Sequence, residues 1–101
     1  MQASTTRENS KAVVKLSGRF DFSKHREFRA AYEPLLEDKA VQEVAIDMAN
    51  VDYLDSSALG MLLMLRDKAS ASSRVVSLVN VRGSVKQVLD IANFGKLFRI
   101  A

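Results

Sequence analysis

Hydrophobic positions along this chain follow two spacings that alternate from one segment to the next. Alternating or continuous apolar residues predict three strands, at Ala12–Leu16, Glu43–Met48 and Arg74–Val79. Apolar residues recurring every three or four positions predict three helices, with candidate N-caps at Ser23, at Asp55 or Ser56, and at Ser84. The order strand, helix, strand, helix, strand, helix predicts an α/β fold with a mostly parallel sheet of four or five strands.

The ends of these elements carry local signals of their own. Ser17-Gly18 is expected to end the first strand, and Pro34 to kink the first helix or start a new turn. Asn93 stands where the C′ residue of the last helix should be, because asparagine tolerates the left-handed conformation. Residues 1–10 predict an edge strand or a disordered segment, and residues 97–100 a short strand or an extended tail.

Composition excludes several classes of protein. The chain has 101 residues, the size of one domain, and contains no cysteine and one histidine. Disulfides, thiol chemistry and cysteine or multi-histidine metal sites are therefore excluded. The longest apolar run, Met61–Leu65, is far too short to cross a membrane. Because Met1–Ser10 has no apolar signal region, we expect a cytoplasmic protein without membrane insertion.

A nucleic-acid site is the first function to weigh, since the net charge is +3. The densest basic segment contains Lys24, His25, Arg26 and Arg29, interleaved with Phe20, Phe22, Phe28 and Tyr32. Basic residues among aromatic ones can bind single strands. The charges form no continuous block, however, so we interpret the segment as a solvated helix face over buried aromatic residues and expect no nucleic-acid partner.

Catalytic patterns are missing from the sequence. Neither glycine-rich phosphate-binding loop is present, and the serines near Gly60 lack the first glycine of a nucleophile elbow. A phospho-accepting Asp55 would need two further acidic residues for magnesium and a lysine on a late strand, and Arg74–Val79 contains no lysine. We therefore expect no catalytic residue, metal or cofactor.

The segment Val51–Leu62 is the most informative part of the chain. It reads as a strand-to-helix turn in which Asp55, Ser56 and Ser57 open the helix. Free backbone N–H groups and the helix dipole favour an anion at such a position, and a phosphate on Ser56 would be stabilised there. On these residues alone, simple N-capping by Asp55 or Ser56 is the alternative.

The segment Asp55-Ser56-Ser57-Ala58-Leu59-Gly60 resembles the D-S-[ST]-G-L-G signature of the STAS family, particularly its anti-sigma factor antagonists. Three further stretches resemble the family along nearly the whole chain: Leu16–Asp21, Glu43–Met48 and Val85–Ile91. The resemblance implies that Ser56 is phosphorylated by an anti-sigma factor with serine kinase activity, and that a PP2C-type phosphatase reverses this. It also implies that only the unphosphorylated form binds the anti-sigma partner.

Two residues depart from the family pattern. Ala58 replaces the usual glycine, which indicates that no positive φ is needed there. Arg19 stands where the family often has glutamate, so a partner would meet a different charge. Asp21 matches the family aspartate near the phosphorylation site, and its alternative role is to cap the turn into the next helix.

Helical geometry predicts a docking face on the same helix. Ala58, Leu62, Leu65 and Ala69 share the core side, whereas Ser56, Gly60, Leu63, Met64 and Asp67 share the opposite side. Leu63 and Met64 then have no obvious core role, unless another helix or the chain tail covers them. The expected partner-binding residues are Asp21, Asp55, Ser57, Gly60, Leu63 and Met64, around the expected phosphorylation site Ser56.

A second function fits the same family resemblance. Small STAS proteins also occur as non-switching subunits attached to lipid-transport ABC ATPases, and they resemble this chain in size and fold. The acceptor sequence Asp55-Ser56-Ser57 favours the switching type.

Overall fold

The computed structural model describes residues 2–100. This part of the chain forms five strands and three helices: β1 (Gln2–Glu8), β2 (Lys11–Phe20), α1 (His25–Glu37), β3 (Glu43–Leu54), α2 (Ser56–Ala71), β4 (Val75–Val79), α3 (Gly83–Ile91) and β5 (Arg99–Ile100). Single 3-10 turns, Phe22–Lys24 and Phe94–Lys96, precede α1 and β5. The segment before residue 10, for which an edge strand or disorder was expected, is thus an ordered strand from Gln2 onwards.

The strands form one sheet in the order β1-β2-β3-β4-β5. β1 is antiparallel to β2, and the remaining neighbours are parallel. All three helices cover one face of the sheet, since Phe28, Leu62 and Val85 belong to the same core cluster as the inward residues of the strands. This confirms the predicted α/β fold with a mostly parallel sheet.

One face of the sheet packs against the helices, and the other carries charged, hydroxyl and apolar side chains. Val14, Ile46 and Leu78 are fully buried under the helices and belong to one core cluster. On the opposite face Lys11 lies 4.0 Å from the Glu43 carboxylate, which also accepts a hydrogen bond from the Ser77 hydroxyl. On this face the Glu43 carboxylate therefore pairs with both a cation and a buried hydroxyl group.

Two strands run further than expected. Ser17-Gly18 does not end β2, because Gly18 adopts φ +87° and the register with β3 shifts on each side of it. These irregularities bend the strand and let it continue to Phe20. β3 likewise continues beyond Met48 to Leu54, and Phe20 and Leu54 are register partners at the end of the sheet.

Helix starts differ from the expected caps at two of three positions. Ser23 caps nothing with its side chain; it donates to Asp21, and α1 begins at His25. Ser84 also lies inside its helix, since α3 begins at Gly83, where φ is +61°. The α1 helix runs through Pro34 to Glu37. Asn93 has φ +60°, which confirms its left-handed conformation after α3.

The predicted core face of α2 is confirmed, since Ala58, Leu62, Leu65 and Ala69 are all buried. Ile91, at the end of the last helix, is 83% exposed. It is the final helical residue, and Val85 and Leu89 already cover the core. Phe94 and Phe98 pack beyond it, with ring centroids 5.3 Å apart.

Candidate functional site

The ends of β2 and β3 bring two sequence-distant segments together. The Asp55 N–H donates to the Phe20 carbonyl oxygen, 3.4 Å away, directly after the last register pair of the two strands. The turn that follows β2 and the start of α2 therefore share one corner of the molecule, at the carboxyl edge of the sheet. Ligands of open α/β sheets bind at this edge.

Asp55 sets the start of α2. Its backbone is extended, with φ −106° and ψ −179°, and its Oδ1 accepts a hydrogen bond from the Ala58 N–H at 2.9 Å. This is the N-cap geometry in which a side-chain oxygen replaces the missing carbonyl of a preceding turn. Of the two candidate caps for this helix, the structure selects Asp55. Ser56 and Ser57 are thereby placed in the first turn with their side chains exposed.

The second Asp55 oxygen reaches the other segment of the corner. Oδ2 accepts a hydrogen bond from the Phe22 N–H at 3.2 Å. Phe22 opens the 3-10 turn between β2 and α1, and it is the residue after Asp21. Both oxygens of Asp55 thus have backbone donors, one on each side of the corner.

Asp21 is committed to the turn that it opens. Its Oδ1 accepts from the Ser23 N–H at 3.0 Å and from the Ser23 hydroxyl at 2.6 Å, and its Oδ2 lies 3.7 Å from the Arg19 Nε. The hydrogen bond from the Ser23 hydroxyl is the main reason why the pKa of Asp21 is lowered, and the cations Lys24 and Arg19 add to it. The capping role of Asp21 is therefore present in the structure.

Two exposed aromatic residues at this corner were not expected from the sequence. Phe22 is 72% exposed, although the interleaved aromatic residues of its segment were expected to be buried. That expectation holds for Phe20, Phe28 and Tyr32, and it fails for Phe22 because the 3-10 turn before α1 points its side chain outwards. Tyr53 is 41% exposed. Because successive side chains of a strand point to opposite faces, its position next to the buried Leu54 would have predicted this exposure.

The outward side of α2 continues the surface away from Ser56. Gly60 is exposed, and a Cβ atom added there would meet nothing within 4 Å. Met64 is half exposed, as its helical position predicts. Leu63 differs from its expected place, because it is partly buried and packs against the core cluster. The exposed strip of α2 therefore runs from Ser56 through Gly60 to Met64.

Arg82 links the start of α3 to the same edge of the sheet, where its Nη2 donates to the Ala49 carbonyl oxygen at 2.8 Å. Within residues 2–100 no helix is long and apolar enough to span a membrane.

Comparison with known proteins identifies the family. A family model described as "Mlab, STAS domain" matches residues 3–99. The chain belongs to the STAS family. The "STAS-domain containing protein PA14_20770" of Pseudomonas aeruginosa is 42% identical to this STAS domain over 94 residues, which is 93% of this chain and 91% of that protein.

Solved structures share the fold of this STAS domain at low sequence identity. A putative anti-sigma factor antagonist from Thermotoga maritima matches with a TM-score of 0.86 at 16% identity, over 97% of this chain and 84% of that one. The anti-sigma factor antagonist SpoIIAA in its unphosphorylated form matches with a TM-score of 0.76 at 19% identity, over 99% and 87% of the two chains. SpoIIAA of Bacillus in its phosphorylated form gives 0.75 at 19% identity, over 99% and 91%.

Proposed function

We propose that this STAS domain is an anti-sigma factor antagonist that switches partners by phosphorylation of Ser56, without catalysis of its own. The observation that carries the proposal is the position of Ser56, exposed in the first turn of α2 directly behind the capping carboxylate of Asp55. The resemblance of Asp55–Gly60 to the family signature supports Ser56 as the acceptor serine. The unphosphorylated form binds an anti-sigma factor or serine kinase in the cytoplasm, and a PP2C-type phosphatase restores it.

A phosphate at Ser56 is compatible with the fold. The start of α2 supplies free backbone N–H groups and the positive end of the helix dipole. The two forms of SpoIIAA named above match this chain to nearly the same extent, so in that protein the fold survives phosphorylation. We therefore expect a local change of charge and bulk at the corner, with the sheet unchanged.

The proposed docking face surrounds Ser56. It consists of the partner-binding residues expected from the sequence: Asp21, Asp55, Ser57, Gly60, Leu63 and Met64. Their roles in the structure differ, since Asp21 and Asp55 shape the backbone through hydrogen bonds while Gly60 and Met64 are open to a partner. A dianion at the rim of an apolar contact costs desolvation as well as repulsion, which would release the partner.

Capture of the partner tests this function. The unmodified chain and a chain with phosphoserine incorporated at position 56 are immobilised and exposed to lysate of the source cells, and retained proteins are identified by mass spectrometry. We expect a kinase-like protein on the unmodified chain and its loss on the modified one. Phosphoserine at Ser84, which also stands in the first turn of a helix, is the matched control and should leave capture unchanged.

The alternative function gives a different result in the same experiment. A non-switching subunit of a lipid-transport ABC ATPase would retain an ATPase equally on both chains, and this outcome would contradict the switch. Incubating the captured kinase with ATP and the unmodified chain then locates the phosphate. A phosphate on Ser57 alone would also contradict the proposal, because it moves the acceptor by one residue.

A further inference from the structure

The Asp55 carboxylate joins two segments that are 33 residues apart in sequence. Its Oδ1 holds the Ala58 N–H at 2.9 Å and its Oδ2 holds the Phe22 N–H at 3.2 Å. A carboxylate is planar and rigid, so rotating the Asp55 side chain cannot preserve both bonds. Any displacement of Asp55 therefore weakens its hydrogen bond to the start of α2, its hydrogen bond to the turn that contains Phe22, or both.

Phe22 is held in place through its backbone rather than through core packing. Its side chain is 72% exposed, and it is the first residue of a three-residue turn. Asp21 stabilises the next residue of that turn, Ser23, whereas the Phe22 N–H is held by Asp55. Aromatic residues, phenylalanine included, are enriched in the cores of protein–protein interfaces relative to the rest of the surface. A shift of Phe22 would alter a contact residue without disturbing the core.

A phosphate on Ser56 acts directly on this link. It places nearly two negative charges on the neighbour of the Asp55 carboxylate and adds strong acceptors for the N–H groups at the start of α2. Like charges on adjacent residues repel, so the phosphate favours a movement of the Asp55 carboxylate away from its present position. The bond from the Phe22 N–H is the longer of the two and lies at the exposed side of the corner, so it is the one that yields.

We propose that Asp55 is a positioning residue that transmits the phosphorylation state of Ser56 to Phe22. In the unmodified protein Asp55 fixes the turn and presents the Phe22 ring in one place. In the phosphorylated protein the turn is released. This inference rests on the proposed function for the choice of Ser56 as the modified residue.

The NMR signal of the Phe22 amide reports directly on its hydrogen bond to Asp55. The ¹⁵N-labelled chain is prepared unmodified, with phosphoserine at position 56, and with phosphoserine at Ser84 as the control. The Phe22 amide should shift in the first modified chain and exchange its hydrogen about tenfold faster, as expected for a lost bond to a charged acceptor. The Ser84 control should leave that amide unchanged, and Val44 in the buried sheet should be unchanged in all three.

The variant Asp55→Asn separates the two hydrogen bonds of Asp55. Asparagine caps helices as well as aspartate, and its oxygen can still accept from Ala58, but its NH₂ group cannot accept from Phe22. Asp55→Asn should therefore release the Phe22 amide while Ser56 is unmodified, with the Ala58 amide still protected.

Two results would overturn the inference: a Phe22 amide that is identical with and without phosphoserine at position 56, or one that stays protected in Asp55→Asn. The spectra are recorded on the isolated chain, so they do not depend on any partner. Failure to capture a kinase-like protein would instead contradict the proposed function and leave the measured link intact.

Discussion

The Arg19 guanidinium lies over the Tyr53 ring, with its central carbon 4.1 Å from the ring centroid. The two residues are register partners at the ends of β2 and β3, and Arg19 also faces the Asp21 carboxylate. Two partners therefore fix an otherwise exposed side chain beside the corner that carries Ser56. This is the position where the family often has glutamate, so a cation in a defined place distinguishes the surface of this chain.

A double-mutant cycle tests whether the stacking contributes to stability. We expect Arg19→Ala and Tyr53→Ala to show a coupling free energy of about 0.5–1 kcal/mol in chemical denaturation, the range for exposed cation–π pairs. Tyr53→Phe keeps the ring and should keep the coupling. A coupling free energy indistinguishable from zero would mean that the contact between Arg19 and Tyr53 does not stabilise the fold. Arg19 would then be free to reorient towards a partner.

Two methionines on α2 provide a matched pair for the docking face. Met64 is 50% exposed and Met61 is 6% exposed, one turn earlier on the same helix. Met64→Glu should abolish binding of the captured partner while leaving the thermal midpoint nearly unchanged. Met61→Ala should lower the free energy of unfolding by about 2–5 kcal/mol, as for other truncated core side chains.

Thermal unfolding and partner titration of both variants decide this prediction. If Met64→Glu unfolds the chain, Met64 belongs to the core and the face is wrongly placed. If the variant is stable and binds normally, the partner docks elsewhere, and the turn around Arg19 and Asp21 becomes the next surface to test.

Arg74 connects the loops at the opposite end of the sheet. Its Nε donates to the Val41 carbonyl oxygen at 2.8 Å and its Nη2 to the Asp38 carbonyl oxygen at 2.7 Å, more than 30 positions away in sequence. Arg74→Met keeps much of the apolar stem and leaves both oxygens without these donors. We expect a loss of about 1–3 kcal/mol in the free energy of unfolding, the usual cost of an unsatisfied polar group.

Arg66→Met is the control for Arg74, since Arg66 holds a single carbonyl oxygen, that of Leu97, at 2.9 Å. Urea denaturation of both variants gives the comparison. An Arg74 variant as stable as the Arg66 variant would show that the two loop contacts of Arg74 contribute no more than the single contact of Arg66.

Acid should destabilise the fold partly through two carboxylates, Asp21 and Asp38, that accept hydrogen bonds from nearby turn residues. The Ser23 hydroxyl is the main cause of the lowered pKa of Asp21, and the Ala40 N–H, followed by Arg7, is the main cause of the lowered pKa of Asp38. In each case the folded state favours the anion. The stabilisation is therefore complete above the ordinary pKa of 3.8 and is lost as the pH falls through the lower folded-state value.

Denaturation curves recorded across that range check the sign. The free energy of unfolding should fall less steeply below about pH 4 in the double variant Asp21→Asn, Asp38→Asn than in the unmodified chain. Equal slopes in the two proteins would show that other carboxylates carry the acid dependence.

The features that were predictable from the sequence depend on neighbours within one helical turn or one strand. The core face of α2 follows from the spacing of Ala58, Leu62, Leu65 and Ala69, and all four are buried. The left-handed Asn93 follows from the residue type and its place after a helix. These signals are local, so no tertiary information was needed to interpret them.

Two of the features that the sequence did not predict depend on contacts distant in sequence. Ser17-Gly18 has the composition of a strand end, but pairing with β3 carries β2 past it. The bond between the Asp55 carboxylate and the Phe22 N–H joins residues that no helical or strand period relates. For the same reason the outward direction of Phe22 was missed, because the 3-10 turn that directs it is stabilised by that contact and by Asp21.

Gly60 separates the requirements of stability from those of binding. It lies inside α2, where glycine is about 1 kcal/mol less favourable than alanine, and an added Cβ would meet nothing within 4 Å. Gly60→Ala should therefore raise the free energy of unfolding by about 0.5–1 kcal/mol. If the backbone of the partner lies close to Gly60, one turn from Ser56, the same methyl group should weaken partner binding.

Ser70→Ala, at an exposed position near the other end of α2, is the control for Gly60→Ala. It should also stabilise the helix but leave partner binding unchanged. A Gly60→Ala chain that is more stable and binds with unchanged affinity would show that the glycine serves no docking role, and would place the contact on the side of Ser56 that faces Phe22 and Tyr53.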